Sequence, residues 1–270
     1  MTSGELSPGD AWTHLRRHTA ARIALGRTGG SLPTAEWLRF EAARTLARAA
    51  VHAPFEAEAL AEELRALPAD AGVLASAAPD RTAYLRRPDL GRRLADESRA
   101  RLAASRPGPG GDCELVVLVS DGLSALAARR QAPPLLHALW PRLRDRGFRP
   151  PPVWVIRHAR VAIIDEVGAI LAAELVLVVL GERPGLDAPD SLGAYFGYRP
   201  GPGRTDADRN CVSNIRPAGL PPEEAAEKLA ALLDAARRSR LSGTGLKDPS
   251  NLAAGLPPAG SGPVPPSRER

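Results

Sequence analysis

Two cysteines, Cys113 and Cys211, stand in a chain of 270 residues. That is too few for a disulfide framework and suits a reducing compartment. No apolar run approaches the ~18 residues that a bilayer-spanning helix needs. The first residues, MTSGELSPGDAW, show neither the charged-then-apolar order of a secretion signal nor a transit-peptide pattern. Together these absences point to the cytoplasm and to no membrane partner. Aromatic residues make up 4% of the chain, which leaves little on which nucleobases could stack. Lysine is nearly missing as well: all but Lys228 and Lys247 of the 36 basic residues are arginine. With abundant alanine and proline, this reads as the codon bias of a GC-rich genome. The net charge of +5 therefore does not call for a nucleic-acid partner. A basic nucleic-acid module would reveal itself by an affinity falling steeply with salt.

Several chemical signatures are missing too. No strand end carries the G-x-G-x-x-G of a dinucleotide site, and Walker A and paired C-x-x-C spacings are absent. RPGPGR (199–204) has two glycines but lies in a loop well after a strand. His14 and His18 stand four apart with no third metal ligand evident. Ser120, Asp121 and Ser124 lack a G-x-S-x-G context, so helix capping by Ser120 or Asp121 is the expectation. His158 lies near a strand end as a possible base without an evident partner. Asp165 and Glu166 fall within a helix, where a solvated face is expected. No self-contained catalytic centre emerges.

What is present is an α/β pattern. Hydrophobic residues at 44% and charged residues at 25% are ordinary for a folded chain. Residues 12–105, after a leader (1–11), read as a mostly helical region. TAEWLRFEAARTLARAAVH (34–52) is its clearest helix, with Thr34 as N-cap and Trp37, Leu38, Leu46 and Val51 as an apolar stripe. A further helix is expected over 53–67, and GRTGGSLPT (26–34) reads as a turn or partner contact rather than a phosphate loop. After the Pro/Gly-rich hinge SRPGPGGD (105–112), strands expected at 114–119, 152–157 and 175–180 alternate with helices at about 123–131, 134–146 and 161–173. A short strand at 210–215 and a helix over 221–243 follow, and the Pro/Gly/Ser-rich 247–270 reads as a disordered tail. Alternation of this kind predicts a parallel, Rossmann-like sheet covered by helices over 112–245. Ligands of such sheets sit beyond the carboxyl ends of the strands, here SDGLS (120–124), RHARV (157–161) and GERPG (181–185).

Six segments in order carry a resemblance: ARIALGRTGGSLPT (21–34), YLRRPDLGRRL (84–94), LVSDGLSALA (118–127), ARVAIIDEVG (159–168), GERPGLDAPDSLGAY (181–195) and DRNCVSNIRP (208–217). Together they resemble the small (light) subunit of ethanolamine ammonia-lyase over roughly residues 12–247. The resemblance implies a non-catalytic subunit that clamps adenosylcobalamin against a large TIM-barrel subunit in a hetero-oligomer. That enzyme converts ethanolamine to acetaldehyde and ammonia by a radical mechanism. It also implies that cobalamin contacts fall on Val161, Glu182 and Cys211. The chain lacks the D-x-H-x-x-G pattern by which some cobalamin proteins supply a histidine to cobalt, in keeping with a cofactor that retains its own dimethylbenzimidazole ligand. Ala159 stands where the family has glycine before its Arg-Val pair. The short leader favours the free cytosol, with a bacterial microcompartment reachable through the large subunit. Without the resemblance, Val161 would simply begin a helix, Glu182 would pair with Arg183 in a turn, and Cys211 would be a small buried residue. A stand-alone nucleotide-binding α/β enzyme is the alternative.

Overall fold

The computed structural model describes residues 12–19, 21–67, 71–106 and 113–247. The leader, most of the hinge and residues 248–270 of the tail lie outside the described residues. Six strands form one sheet: β1 (Ala71–Ala75), β2 (Leu115–Ser120), β3 (Val153–Arg157), β4 (Leu175–Gly181), β5 (Leu192–Tyr198) and β6 (Arg209–Ile215), in the spatial order β1-β3-β2-β4-β5-β6. The first four are mutually parallel, whereas β5 is antiparallel to β4 and β6 to β5. The expected purely parallel sheet is thus corrected to a mixed one.

Two strands escaped the sequence pattern. β1 lies in the stretch read as mostly helical and pairs with β3, so that stretch contributes to the same sheet. β5 lies in the stretch read as a long loop. Its sequence LGAYFGY alternates Leu192, Ala194, Phe196 and Tyr198 toward the core with Gly193, Tyr195 and Gly197 on the other face. Glycine on alternate positions hides the period-2 apolar signal.

The helices are α1 (Thr34–His52), α2 (Ala57–Leu64), α3 (Arg81–Arg86), α4 (Asp96–Ala104), α5 (Ala125–Asp145), α6 (Ile163–Leu171) and α7 (Pro222–Ser239). On one face of the sheet, Val117, Val119, Val153, Leu177 and Phe196 meet α2, α5 and α7 through Leu60, Leu136, Leu139 and Leu229. On the other, Val116, Leu118, Ile156, Val176 and Val178 meet α4 and α6 through Leu102, Ile163 and Val167. Successive strand residues alternate between the two cores, as the period of two requires. At ~25 cal/mol per Å² these continuous apolar faces supply the main drive for the fold.

α5 is a single helix where two were expected, and it continues through Pro133, Pro134 and Pro141. Proline removes a helical hydrogen bond and clashes with the preceding turn. Burial of Leu135, Leu136, Leu139 and Leu143 against the sheet outweighs that cost here. Two capping expectations are also corrected. Pro33, not Thr34, occupies the N-cap of α1, and Ser124 caps α5 by accepting from the Ala127 N–H (3.2 Å). The apolar stripe of α1 faces outward: Trp37, Leu38 and Leu46 are 52%, 57% and 62% exposed, while Ala43 and Ala50 are buried. GRTGGSLPT makes a tight turn in which Thr28 and Ser31 exchange backbone hydrogen bonds.

Candidate functional site at the carboxyl ends of the strands

The end of β4 approaches the turn after β2 closely enough for the Leu123 N–H to reach the Gly181 carbonyl at 2.8 Å. Position 181 admits only glycine, because a Cβ there would lie 2.6 Å from the Asp121 carbonyl oxygen and nearer still to that of Ser124. The glycine of GERPG is therefore the contact that brings Glu182 to the rim of the sheet.

Glu182 does not pair with Arg183. Its Oε2 accepts from Ser191 Oγ (2.9 Å) and the Asn214 N–H (3.4 Å), and its Oε1 accepts from the Tyr195 hydroxyl (3.3 Å). The donors come from the β4–β5 turn, from β5, which the sequence reading missed, and from β6, which it expected at 210–215, so the sheet's antiparallel edge orients this carboxylate. A side chain at Gly193 would displace it: a Cβ there would fall 2.7 Å from Glu182 Oε1 and 2.8 Å from the Tyr195 ring.

Cys211 lies directly across from Tyr195 in the β5–β6 register. The residue has an exposed face, so it is not the buried small residue considered above. Crowding around its sulfur nonetheless pushes the thiol above its ordinary range; the Glu182 charge adds to this and the Tyr195 hydroxyl opposes it. Such a thiol is protonated at neutral pH and is a weak donor rather than a nucleophile.

Val161 lies in the turn just before α6 rather than in the helix itself. That turn is held from several sides. The Arg160 N–H donates to Gly91 O (2.7 Å), the Ala159 N–H to Ser120 Oγ (3.0 Å) and the His158 N–H to Asp121 Oδ1 (2.7 Å). His158 adopts the left-handed region at φ 59°, an uncommon conformation for a residue with a Cβ. Its ring supplies a second tie: Nδ1 lies 2.9 Å from Asp121 Oδ2. Asp121 is 1% exposed and also takes Arg81 Nη1 at 2.8 Å, while Arg81 Nε donates to Val51 O at the end of α1. His158 has a partner after all, and Ser120 and Asp121 fasten this turn rather than capping a helix.

Tyr84 completes the wall. It is fully buried, donates to Ala159 O (3.3 Å), and carries the Arg160 guanidinium 4.3 Å from its ring centre. Asp165 and Glu166 are not simply solvated. Asp165 pairs with Arg209 of β6 (2.5 Å), and Glu166 accepts from the Leu94 N–H (2.6 Å) and Arg99 (2.8 Å). Burial raises the Asp165 carboxyl against the opposing pull of Arg209.

Two adjoining concavities result. The larger, about 1180 Å³, is lined by Arg160, Val161, Tyr195, Arg209 and Cys211 among others. The smaller, about 380 Å³, is lined by Tyr84, Leu123, Arg160, Val161, Glu182 and Tyr195 among others. Arg160, Val161 and Tyr195 border both. Of the three residues singled out in the sequence, Val161 borders both concavities, Glu182 the smaller at the carboxyl end of β4, and Cys211 the larger, level with the middle of the sheet's antiparallel edge. The sequence reading missed Tyr84, Arg160 and Tyr195 as site residues, although each falls within a quoted segment.

A profile of the ethanolamine ammonia-lyase light chain matches residues 9–247. The chain belongs to the ethanolamine ammonia-lyase light-chain family. It is 52% identical over 252 residues to the ethanolamine ammonia-lyase small subunit of Azotobacter vinelandii, covering 93% of each chain. It is 50% identical to that of Xanthomonas campestris pv. campestris strain B100 (92% of this chain, 91% of the relative) and 48% identical to that of Pseudomonas syringae pv. tomato (91% and 86%). As a light chain it is one subunit of a lyase rather than a stand-alone nucleotide enzyme. Among the described residues no group of three or more His, Cys, Asp and Glu could hold a metal ion. No helix among them is long and apolar enough to cross a membrane.

The site has a spectroscopic consequence. Two of the chain's three tyrosines have raised pKa values: burial pushes Tyr84 up to about 12, and burial followed by Cys211 and Glu182 pushes Tyr195 up as well. An ordinary tyrosine titrates near 10. A folded-state value above the unfolded one means that the stability contributed is fully present below about pH 10 and is lost as pH rises through the folded value. Alkaline difference absorbance should therefore show two tyrosines ionising late in the folded protein, with all three ionising near pH 10 in denaturant. Complete ionisation by about pH 10.5 in the folded state would contradict the described packing.

Proposed function

We propose that this chain clamps adenosylcobalamin against the large subunit of an ethanolamine ammonia-lyase, with Val161, Glu182 and Cys211 on its side of the cofactor. The observation that carries this reading is that those three residues line two adjoining concavities that share Arg160, Val161 and Tyr195.

The residues suit the group. A corrin rim and nucleotide loop present amides, hydroxyls and a phosphate, hence both donors and acceptors. Arg160 Nε is buried at the cleft with no hydrogen-bond partner among the described residues, a donor available for a carbonyl or phosphate oxygen. Glu182 has three donors from its own chain and about four acceptor positions, so one remains for a ligand amide or hydroxyl. Val161 offers apolar contact or its backbone, and Cys211 a polarizable surface.

When bound, adenosylcobalamin would supply the radical chemistry for converting ethanolamine to acetaldehyde and ammonia. This chain's residues hold and orient it and exclude water from its outer face; they move no proton of the substrate. The partner is a large TIM-barrel subunit that carries the substrate site. The outward apolar stripe of α1 gives a light chain a surface for another subunit, and Arg81 links the end of that helix to Asp121 in the site. The complex is cytoplasmic, with entry to a bacterial microcompartment through the large subunit.

Glu182→Gln tests the clamp. It removes the charge yet keeps the shape, and a hydrogen bond involving a charged group contributes about 1.5–3 kcal/mol. Cobalamin retention by the assembled complex should weaken by roughly tenfold or more while subunit assembly is unchanged. Unaltered retention would return Glu182 to the role of a turn residue.

A further inference from the structure

We infer that Tyr195 is a further positioning residue of the cleft: through its hydroxyl it holds Glu182 so that the carboxylate is presented to the ligand in a single orientation. The inference rests on the cofactor reading above and concerns a residue that reading does not use.

The face of β5 that looks away from the α5–α7 core consists of Gly193, Tyr195 and Gly197. Tyr195 therefore carries the only side chain beyond glycine on that face of the strand. Its ring packs with Val161 against the α4–α6 core and borders both concavities. Its hydroxyl reaches Glu182 Oε1 at 3.3 Å, and Cys211 is its cross-strand neighbour in the β5–β6 pair. The two oxygens of Glu182 are treated differently. Oε2 is held by Ser191 and the Asn214 N–H, whereas Tyr195 supplies the described hydrogen bond to Oε1. Loss of the hydroxyl would leave the carboxylate tethered by one oxygen and free to turn about it.

The vacancy of side chains at 193 fits the same arrangement. A Cβ there would press on both the carboxylate and the tyrosine ring, so glycine is what lets the pair meet. Glycine inside a strand commonly marks such a close approach. Because the hydroxyl is kept protonated well beyond neutral pH, it is a constant donor rather than a titrating one.

A residue acting through Glu182 has a distinctive energetic signature. Tyr195→Phe, Glu182→Gln and the double variant would each be assembled with a large subunit and titrated with adenosylcobalamin, with retained corrinoid absorbance as the readout. Thermal midpoints without cofactor would be measured in parallel. Tyr195→Phe keeps the ring, so assembly and midpoint should stay near wild type while the dissociation constant rises about fivefold. The double variant should be no weaker than Glu182→Gln alone, because neighbours sharing one interaction are non-additive. Wild-type affinity in Tyr195→Phe alongside weakened Glu182→Gln would overturn the inference and leave the cofactor reading standing. Losses that simply add would overturn it also, since Tyr195 would then act independently of Glu182. Wild-type affinity in all three variants would remove Glu182 itself from the cofactor site, and with it the premise of the inference.

Discussion

Asp121→Ala should destabilise this chain by about 3–5 kcal/mol, the cost of removing one partner from a buried ion pair. For a chain of this size that corresponds to a fall in melting temperature on the order of 10 °C. The carboxylate is 1% exposed and ties together three groups at once: Arg81 (2.8 Å), the His158 N–H (2.7 Å) and His158 Nδ1 (2.9 Å). Without it the Arg81 guanidinium, whose Nη2 already lacks a partner among the described residues, stays in place with its charge unmatched. His158 would also lose what holds it at positive φ, and the turn carrying Arg160 and Val161 would loosen. Stability and cofactor retention should fall together. Replacing both partners, as Arg81→Met with Asp121→Leu, should cost less than the sum of the single changes. Thermal unfolding decides the matter, and a shift below about 2 °C for Asp121→Ala would remove the carboxylate from its central role.

Much of this fold was legible in the sequence, and the exceptions share a cause. LVVLVS, VWVIR and LVLVVLG are apolar runs between turn signals and appear as β2, β3 and β4 within a residue or two of expectation. α1 matches its expected span, because nothing within 34–52 breaks a helix. Prediction failed where tertiary packing overrides local preference. β5 is interrupted by glycines that serve Glu182 and the α6 side of the sheet, α5 holds three prolines in place by burial, and β1 is a short edge strand with little pattern. Missing β5 turned the sheet from mixed to parallel in expectation, and it also concealed Tyr195.

The site was half legible. Pattern alone placed GERPG at a strand's carboxyl end, and resemblance supplied Val161, Glu182 and Cys211. Neither could pair Asp121 with His158, which lie 37 positions apart, nor give Glu182 its donors from β5 and β6. Long-range partners of polar residues leave no periodic trace. Arg183, the sequence neighbour that seemed the natural partner for Glu182, is exposed and contributes to the turn instead.

Omission of this chain should abolish function, the largest effect expected. On the proposed clamp the substrate site belongs to the large subunit, so this chain alone should not deaminate ethanolamine. If the proposed clamp holds, the large subunit alone lacks Glu182 and the Arg160–Val161 turn on the outer side of the cofactor. Either component by itself should then be inactive, and mixing them with adenosylcobalamin should restore deamination. An interface that exists only between two chains also makes cofactor binding and assembly thermodynamically linked, so each should strengthen the other by the same factor.

The most direct measurement is an equilibrium titration of adenosylcobalamin against this chain, the large subunit and their mixture, with retained corrinoid read by absorbance after gel filtration. Tight retention by the mixture, with neither part binding comparably alone, is the result the clamp predicts. Equal retention by the large subunit without this chain would contradict it.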